Sequence, residues 1–233
     1  AEAVTEADVV IEAVPEIPDL KKDLFSRMNR LCSKDAIFAS NTSGLDIFAL
    51  AEVDSPERLV ITHWFSPPYI IPLVEIVPGK MTSSEVLSRT VQLMKSVGKT
   101  PIVLKKFIPA FIVNRIQNAV NRTAFEMLDN GWATPEDIDL AIKHTLGIRL
   151  PIVGIVQALD FTGLDLINDI MRGLGVRCSF IEDKVNSGDF GAKTSKGIYD
   201  YGNRSEIEIL KKRDRLYFKM LDHLQEMKAF EPV

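Results

Sequence analysis

The run Ile61-Thr62-His63-Trp64-Phe65-Ser66-Pro67-Pro68-Tyr69-Ile70-Ile71-Pro72-Leu73-Val74-Glu75-Ile76-Val77 holds the two side chains best suited to proton transfer, His63 and Glu75. A carboxylate hydrogen-bonded to one ring nitrogen of a histidine fixes the tautomer and stabilises the imidazolium. The other nitrogen is then free to act as a general base near neutral pH. Residues 60–65 and 73–77 are rich in β-branched and aromatic side chains, while Pro67, Pro68 and Pro72 prevent a strand from running through the middle. The segment reads as two strand ends around a proline-rich loop, and such a loop can fold Glu75 back beside His63. Spacing alone leaves a second reading open, in which a partly buried histidine and an unrelated surface glutamate merely share the segment.

These strands belong to a longer alternation. Strands at 8–14, 36–41, 59–65, 73–77 and 101–104 alternate with helices over Pro18–Leu31 and from Ser83 to Gly98, the pattern of a parallel sheet wrapped by helices. The first of these helices is expected to bury Leu20, Leu24, Met28 and Leu31 on one face. Ligands of open parallel sheets bind beyond the carboxyl ends of the strands. Three polar loops lie there: Glu12-Ala13-Val14-Pro15-Glu16, Ser40-Asn41-Thr42-Ser43-Gly44 and the His63 loop. If Ser43, His63 and Glu75 converge, they supply a hydrogen-bond donor, a base and an orienting carboxylate, a set suited to taking a proton from a hydroxyl. By itself Ser40 to Gly44 also reads as a turn and helix cap.

After Phe107-Ile108-Pro109 the strand pattern stops. Residues 110–130 form a mostly apolar helix carrying Ile112, Val113, Ile116, Val120 and Phe125, with Gly131 placed to cap it. Thr134-Pro135-Glu136-Asp137 is a helix start with threonine as cap and proline in the first turn, and further helices follow from about Gly154 and from Leu164. The fold class is therefore an α/β Rossmann-like parallel sheet, N-terminally incomplete, over residues 1–106, followed by an all-helical domain over 107–233. Asn114 and Arg115 are polar residues set into the apolar helix near the junction, and a buried asparagine there must be hydrogen-bonded. A helix this apolar calls for a large covered surface, which points to subunit contact. Gly173-Leu174-Gly175-Val176-Arg177-Cys178 starts like a dinucleotide fingerprint but lacks the third small residue and follows a helix, so it is set aside. His144 and His223 fall in amphipathic helical contexts and read as surface or packing residues.

A net charge of −4 argues against nucleic acid or an anionic membrane as a general partner. Cys32 and Cys178 stand alone, without metal-ligand or disulfide spacing, so no metal is expected and a reducing compartment fits. No apolar run approaches the roughly 20 residues needed to span a bilayer. The opening residues also lack a basic-then-apolar signal pattern, and a cytoplasmic location is expected.

Five separated motifs, in order, resemble the L-3-hydroxyacyl-CoA dehydrogenase family and its relatives acting on gulonate and carnitine. They are Asp8-Val9-Val10-Ile11-Glu12-Ala13-Val14-Pro15-Glu16; Phe38-Ala39-Ser40-Asn41-Thr42-Ser43; His63 with Glu75; Ile112-Val113-Asn114-Arg115; and Phe190-Gly191-Ala192-Lys193-Thr194-Ser195-Lys196-Gly197-Ile198-Tyr199. The resemblance covers nearly the whole chain and favours the paired reading of His63 and Glu75. It implies that His63 removes the proton of a 3-hydroxyl as hydride leaves the same carbon for the nicotinamide of NAD, with Glu75 holding His63. Ser43 and Asn114 would hydrogen-bond the reacting oxygen and substrate. Glu16, Lys21, Ser43, Ser66 and Lys193 match positions at or near the cofactor. The implied substrate is a small molecule, an acyl-CoA, and the implied assembly is a homodimer formed through the helical domain.

The chain departs from the family pattern at several points. Ser66 stands where asparagine is usual, on the nicotinamide side, and Ala110 replaces the usual glycine before Phe111. Gly147 to Gly154 differs from the family's glycine- and proline-containing turn near the expected substrate entrance, which leaves acyl-chain preference open. The glycine-rich turn expected before Asp8 does not occur in this sequence, and the stretch as given is expected to bind NAD poorly. A same-fold dehydrogenase of a small polar hydroxy acid, of gulonate or carnitine type, and a non-catalytic structural fragment remain as alternatives.

Overall fold

The structure is a computed structural model that describes residues 2–231. It divides into two units, residues 1–125 and 126–233. The first begins with α1 (Glu2–Thr5), β1 (Val9–Glu12), α2 (Pro18–Leu31), β2 (Ile37–Ser40) and α3 (Ile47–Leu50). It continues with β3 (Leu59–Trp64), β4 (Leu73–Pro78), α4 (Ser84–Ser96), β5 (Thr100–Val103) and most of α5 (Val113–Asp129). The five strands form one sheet in the order β1-β2-β3-β4-β5.

The sheet is parallel except at one joint, where β3 and β4 pair antiparallel with His63 opposite Glu75. A parallel crossover needs about a dozen residues or more, and the loop over 65–72 is too short for one. The chain must therefore fold straight back as a hairpin. This reversal is what turns a spacing in sequence into a facing pair in space, and it adds one antiparallel joint to the parallel sheet expected from sequence.

Strand alternation sends side chains to two cores. Phe38, Leu59, Ile61 and Val77 pack with Phe25 and Met28 of α2, Ile47 of α3 and Phe111, whereas Ile37, Ala39, Val60, Val74 and Ile76 pack with Val86 and Met94 of α4. His63 continues the series Leu59, Ile61 and Glu75 precedes Val77 by two, so the pair lies on the α2 face. The buried stripe of α2 is Lys21, Phe25 and Met28; of the stripe expected from sequence, Met28 is buried and Leu24 is half-buried against the same core, whereas Leu20 and Leu31 lie outside it. Leu20 and Leu31 are each 39% exposed. Apolar periodicity gives no weight to Lys21, which is buried where Glu12 and Glu16 pair with it.

The second unit is helical. It contains α6 (Pro135–Lys143), α7 (Leu146–Thr162), α8 (Leu164–Gly173), α9 (Ser179–Asn186) and α10 (Glu206–Glu226). Thr134 caps α6 by accepting the Asp137 N–H, as the Thr-Pro-Glu-Asp sequence anticipates, and α7 is broken at Gly154, where φ is 65°. The fully buried Asp160 of α7 organises the segment 191–201, accepting hydrogen bonds from the Ile198 and Tyr199 N–H groups and the Tyr201 hydroxyl. A β-carbon on Gly191 would lie 2.3 Å from the Asp160 carbonyl oxygen, so that close approach requires glycine. Among the described residues no single helix is long and apolar enough to cross a membrane.

Candidate active site

His63 and Glu75 are 3% and 0% exposed, and Nδ1 of His63 lies 2.8 Å from Oε2 of Glu75. A carboxylate can only accept, so Nδ1 carries the proton, and in the neutral imidazole Nε2 is then the nitrogen with a free lone pair. Among the described residues Nε2 makes no hydrogen bond. The imidazole is braced by aromatic rings, with Phe65 at 4.5 Å and Phe111 at 5.2 Å between centroids. The other oxygen of Glu75, Oε1, accepts the N–H groups of Ile112 (2.9 Å) and Val113 (3.0 Å) at the start of α5. Burial pushes the Glu75 carboxyl upward, but His63 and these two N–H groups outweigh it and hold the carboxyl below its ordinary range.

Ser43 follows β2, with its side chain exposed and its hydroxyl making no hydrogen bond among the described residues. Its main-chain carbonyl accepts from Nδ2 of Asn114 at 3.3 Å. Asn114 directly follows Val113, so the same helix start reaches Glu75 with its backbone and the Ser43 loop with a side chain. The turn at Ser40 to Gly44 is formed by Thr42, whose Oγ1 accepts from Gly44 and Leu45, and α3 is capped by Asp46. Ser43 thus has no capping duty to perform.

Glu16 and Lys21 brace that loop from the β1 side. Oε1 of Glu16 accepts the Thr42 hydroxyl (2.5 Å) and the Ser43 (2.9 Å) and Gly44 (3.2 Å) N–H groups. Partial burial raises the Glu16 carboxyl, yet Thr42, Lys21 and the Ser43 N–H outweigh it and hold the group low. Lys21 is 0% exposed and bonded to Glu12 (2.7 Å) and Glu16 (3.2 Å). Its charge is consumed inside the unit, so it can act on a ligand only through the loop it supports. Ser66 is exposed at the end of β3, and its hydroxyl makes no hydrogen bond among the described residues. Lys193 belongs to the second unit, where it pairs with Asp165 at 2.8 Å.

Three supporting features escaped the sequence reading. Oδ1 of Asn41 accepts the Trp64 N–H at 2.9 Å and so ties the end of β2 to the residue after His63, a role that an asparagine ending a strand could have suggested. Glu12 is buried and takes bonds from Lys21, the Ser40 hydroxyl (2.5 Å) and the Val14 N–H; a lysine on the stripe of Phe25 and Met28 was its signal. The two main-chain donors to Glu75 have no side-chain signature.

The site is therefore a buried histidine–carboxylate pair on a mostly parallel, Rossmann-like sheet, at the carboxyl end of β1–β3. The family model described as "3-hydroxyacyl-CoA dehydrogenase, NAD binding domain" matches residues 1–107, and that described as "3-hydroxyacyl-CoA dehydrogenase, C-terminal domain" matches residues 111–201. The chain belongs to the 3-hydroxyacyl-CoA dehydrogenase family, and its cofactor is NAD. The crystal structure of a 3-hydroxyacyl-CoA dehydrogenase from Archaeoglobus fulgidus aligns with a TM-score of 0.85 at 31% identity, covering 97% of this chain and 79% of that one. An L-carnitine dehydrogenase of Streptomyces coelicolor is 38% identical over 92% of this chain and 73% of its own length. The 5-formyl-3-hydroxy-2-methylpyridine 4-carboxylate 5-dehydrogenase of Mesorhizobium japonicum is 35% identical over 86% of this chain and 67% of its own.

The residues present fit part of a bound NAD. The uncommitted hydroxyls of Ser43 and Ser66, exposed where β2 and β3 end, match the needs of a carboxamide such as that of nicotinamide.

Proposed function

We propose that this protein oxidises a secondary alcohol to a ketone with His63 as the general base, and that the alcohol is the 3-hydroxyl of a 3-hydroxyacyl-CoA. The observation that carries this is the buried Nδ1–Oε2 contact of 2.8 Å, which leaves Nε2 as the free acceptor. Nε2 takes the hydroxyl proton while Glu75 stabilises the imidazolium that results. The Ser43 hydroxyl and the Asn114 amide hold the reacting oxygen, as donors that also polarise the carbonyl in the reverse direction. Bound NAD supplies the acceptor for the hydride that leaves the carbinol carbon. Glu16 and Lys21 keep the Ser43 loop in place, Ser66 serves the nicotinamide side, and Lys193 is a further candidate contact of the cofactor.

The acyl-CoA substrate is supported by the similarity to the Archaeoglobus fulgidus enzyme. A second reading, a dehydrogenase of a small polar hydroxy acid such as L-carnitine, is favoured by the 38% identity to the Streptomyces coelicolor enzyme. Self-association through the helical region is supported by α5, which buries none of its residues and leaves Ile116, Val120, Phe125 and Leu128 between 40% and 61% exposed. The discriminating experiment follows NADH formation by the intact gene product with L-3-hydroxybutyryl-CoA, L-carnitine and L-gulonate in parallel. Turnover confined to the CoA ester supports the first reading, and turnover confined to L-carnitine replaces it with the second.

A further inference from the structure

We infer that the main-chain N–H groups of Ile112 and Val113 are positioning groups for the proposed base, aimed at Glu75 by a left-handed turn at Ala110 and Phe111. The inference rests on the reading of His63 as that base. Each oxygen of Glu75 has its own task, Oε2 toward His63 and Oε1 toward the two N–H groups at 2.9 and 3.0 Å. The side chain is 0% exposed, so water cannot replace a lost donor. N–H groups at a helix start have no partner within the helix, and here they find one in a carboxylate, which the helix dipole also favours.

The backbone that aims them is strained. Ala110 and Phe111 have φ values of 61° and 48°, a conformation that L residues with side chains rarely adopt. Such strain persists where surrounding structure enforces it, often at functional sites. The Phe111 ring is completely buried against His63 and Phe107, and the Phe111 N–H donates to Ile108. The side chain of Ile112, by contrast, is 41% exposed, as expected where the main chain is what matters. Around Glu75, among the described residues, β3 presents His63, β5 presents the apolar Ile102 as register partner, and the start of α5 presents the two N–H groups. His63 is thus the titratable group that acts on it.

The test is Val113→Pro. Proline suits the first position of a helix, so the substitution removes one donor to Glu75 while α5 is retained. With less support for its charge, the Glu75 carboxylate is a stronger acceptor toward Nδ1 of His63, and the coupled pair releases its proton at higher pH than in the parent. The expected result is that the acid limb of the kcat profile moves to higher pH by about one unit, with KM changing less than kcat. Ser84→Pro, the same change at the first residue of α4, is expected to leave the limb in place. If Val113→Pro does not fold, a main-chain ester at residue 113, made by semisynthesis with the valine side chain kept, removes the same proton and is expected to give the same shift. An acid limb abolished in His63→Gln but unmoved in the folded Val113 variant overturns the inference while the base reading stands. A limb that persists in His63→Gln overturns both.

Discussion

Glu75→Gln separates the tautomer argument from mere packing. The glutamine is nearly isosteric and can still place its carbonyl oxygen on the Ile112 and Val113 N–H groups, as Oε1 does at 2.9 and 3.0 Å. Its NH2 then faces Nδ1 of His63, 2.8 Å away in the native pair. Nδ1 must become the acceptor, the ring proton moves to Nε2, and the nitrogen meant to take the substrate proton is already protonated. General acid–base catalysis contributes about 10²–10⁴-fold, so kcat should fall by that factor, equivalent to about 3–5 kcal/mol of barrier. The stability cost should be smaller, about 1–3 kcal/mol, because the loss is of charge-assisted bonds without a cavity. The assay is steady-state NADH formation on whichever substrate the intact protein turns over, beside a urea unfolding curve. A Glu75→Gln protein that folds and keeps kcat within about threefold of the parent refutes the tautomer reasoning.

Two further outcomes follow from the same network. Lys21→Met leaves the Glu12 carboxylate buried without its cation and should destabilise the first unit by about 3–5 kcal/mol in chemical denaturation; adding Glu12→Gln should recover part of the loss. The Glu75 and Glu16 carboxyls are both held below their ordinary range. They therefore contribute stability above the unfolded carboxylate range and lose it as pH falls through the depressed folded values, so unfolding free energy should hold above about pH 5 and decline below it. Glu75→Gln should flatten that decline in a pH series of urea melts.

The β-rich runs, the helix starts at Thr134 and Ser83 and the helical second part were legible because each is a local pattern, and the structure repeats them. The facing of His63 and Glu75 depended on strand direction, which side-chain types do not encode but which loop length does. On α2 the expected stripe holds at Met28 and in part at Leu24 but not at Leu20 and Leu31, because apolar periodicity gives no weight to a lysine whose partner, Glu12, lies nine residues earlier on β1. Oε1 of Glu75 is satisfied by backbone alone, so no residue type could have announced it. Asn41 is intermediate: its type suits a strand end, but its acceptor role toward Trp64 needs the β2–β3 register to be known.

The most direct measurement is kcat of His63→Gln in the intact protein, on its own substrate, with the melting curve recorded on the same sample. With the imidazole removed and the fold retained, kcat should fall by about 10²–10⁴-fold while substrate and NAD still bind. A folded His63→Gln protein that turns over at the parent rate contradicts the assignment of His63 as the base.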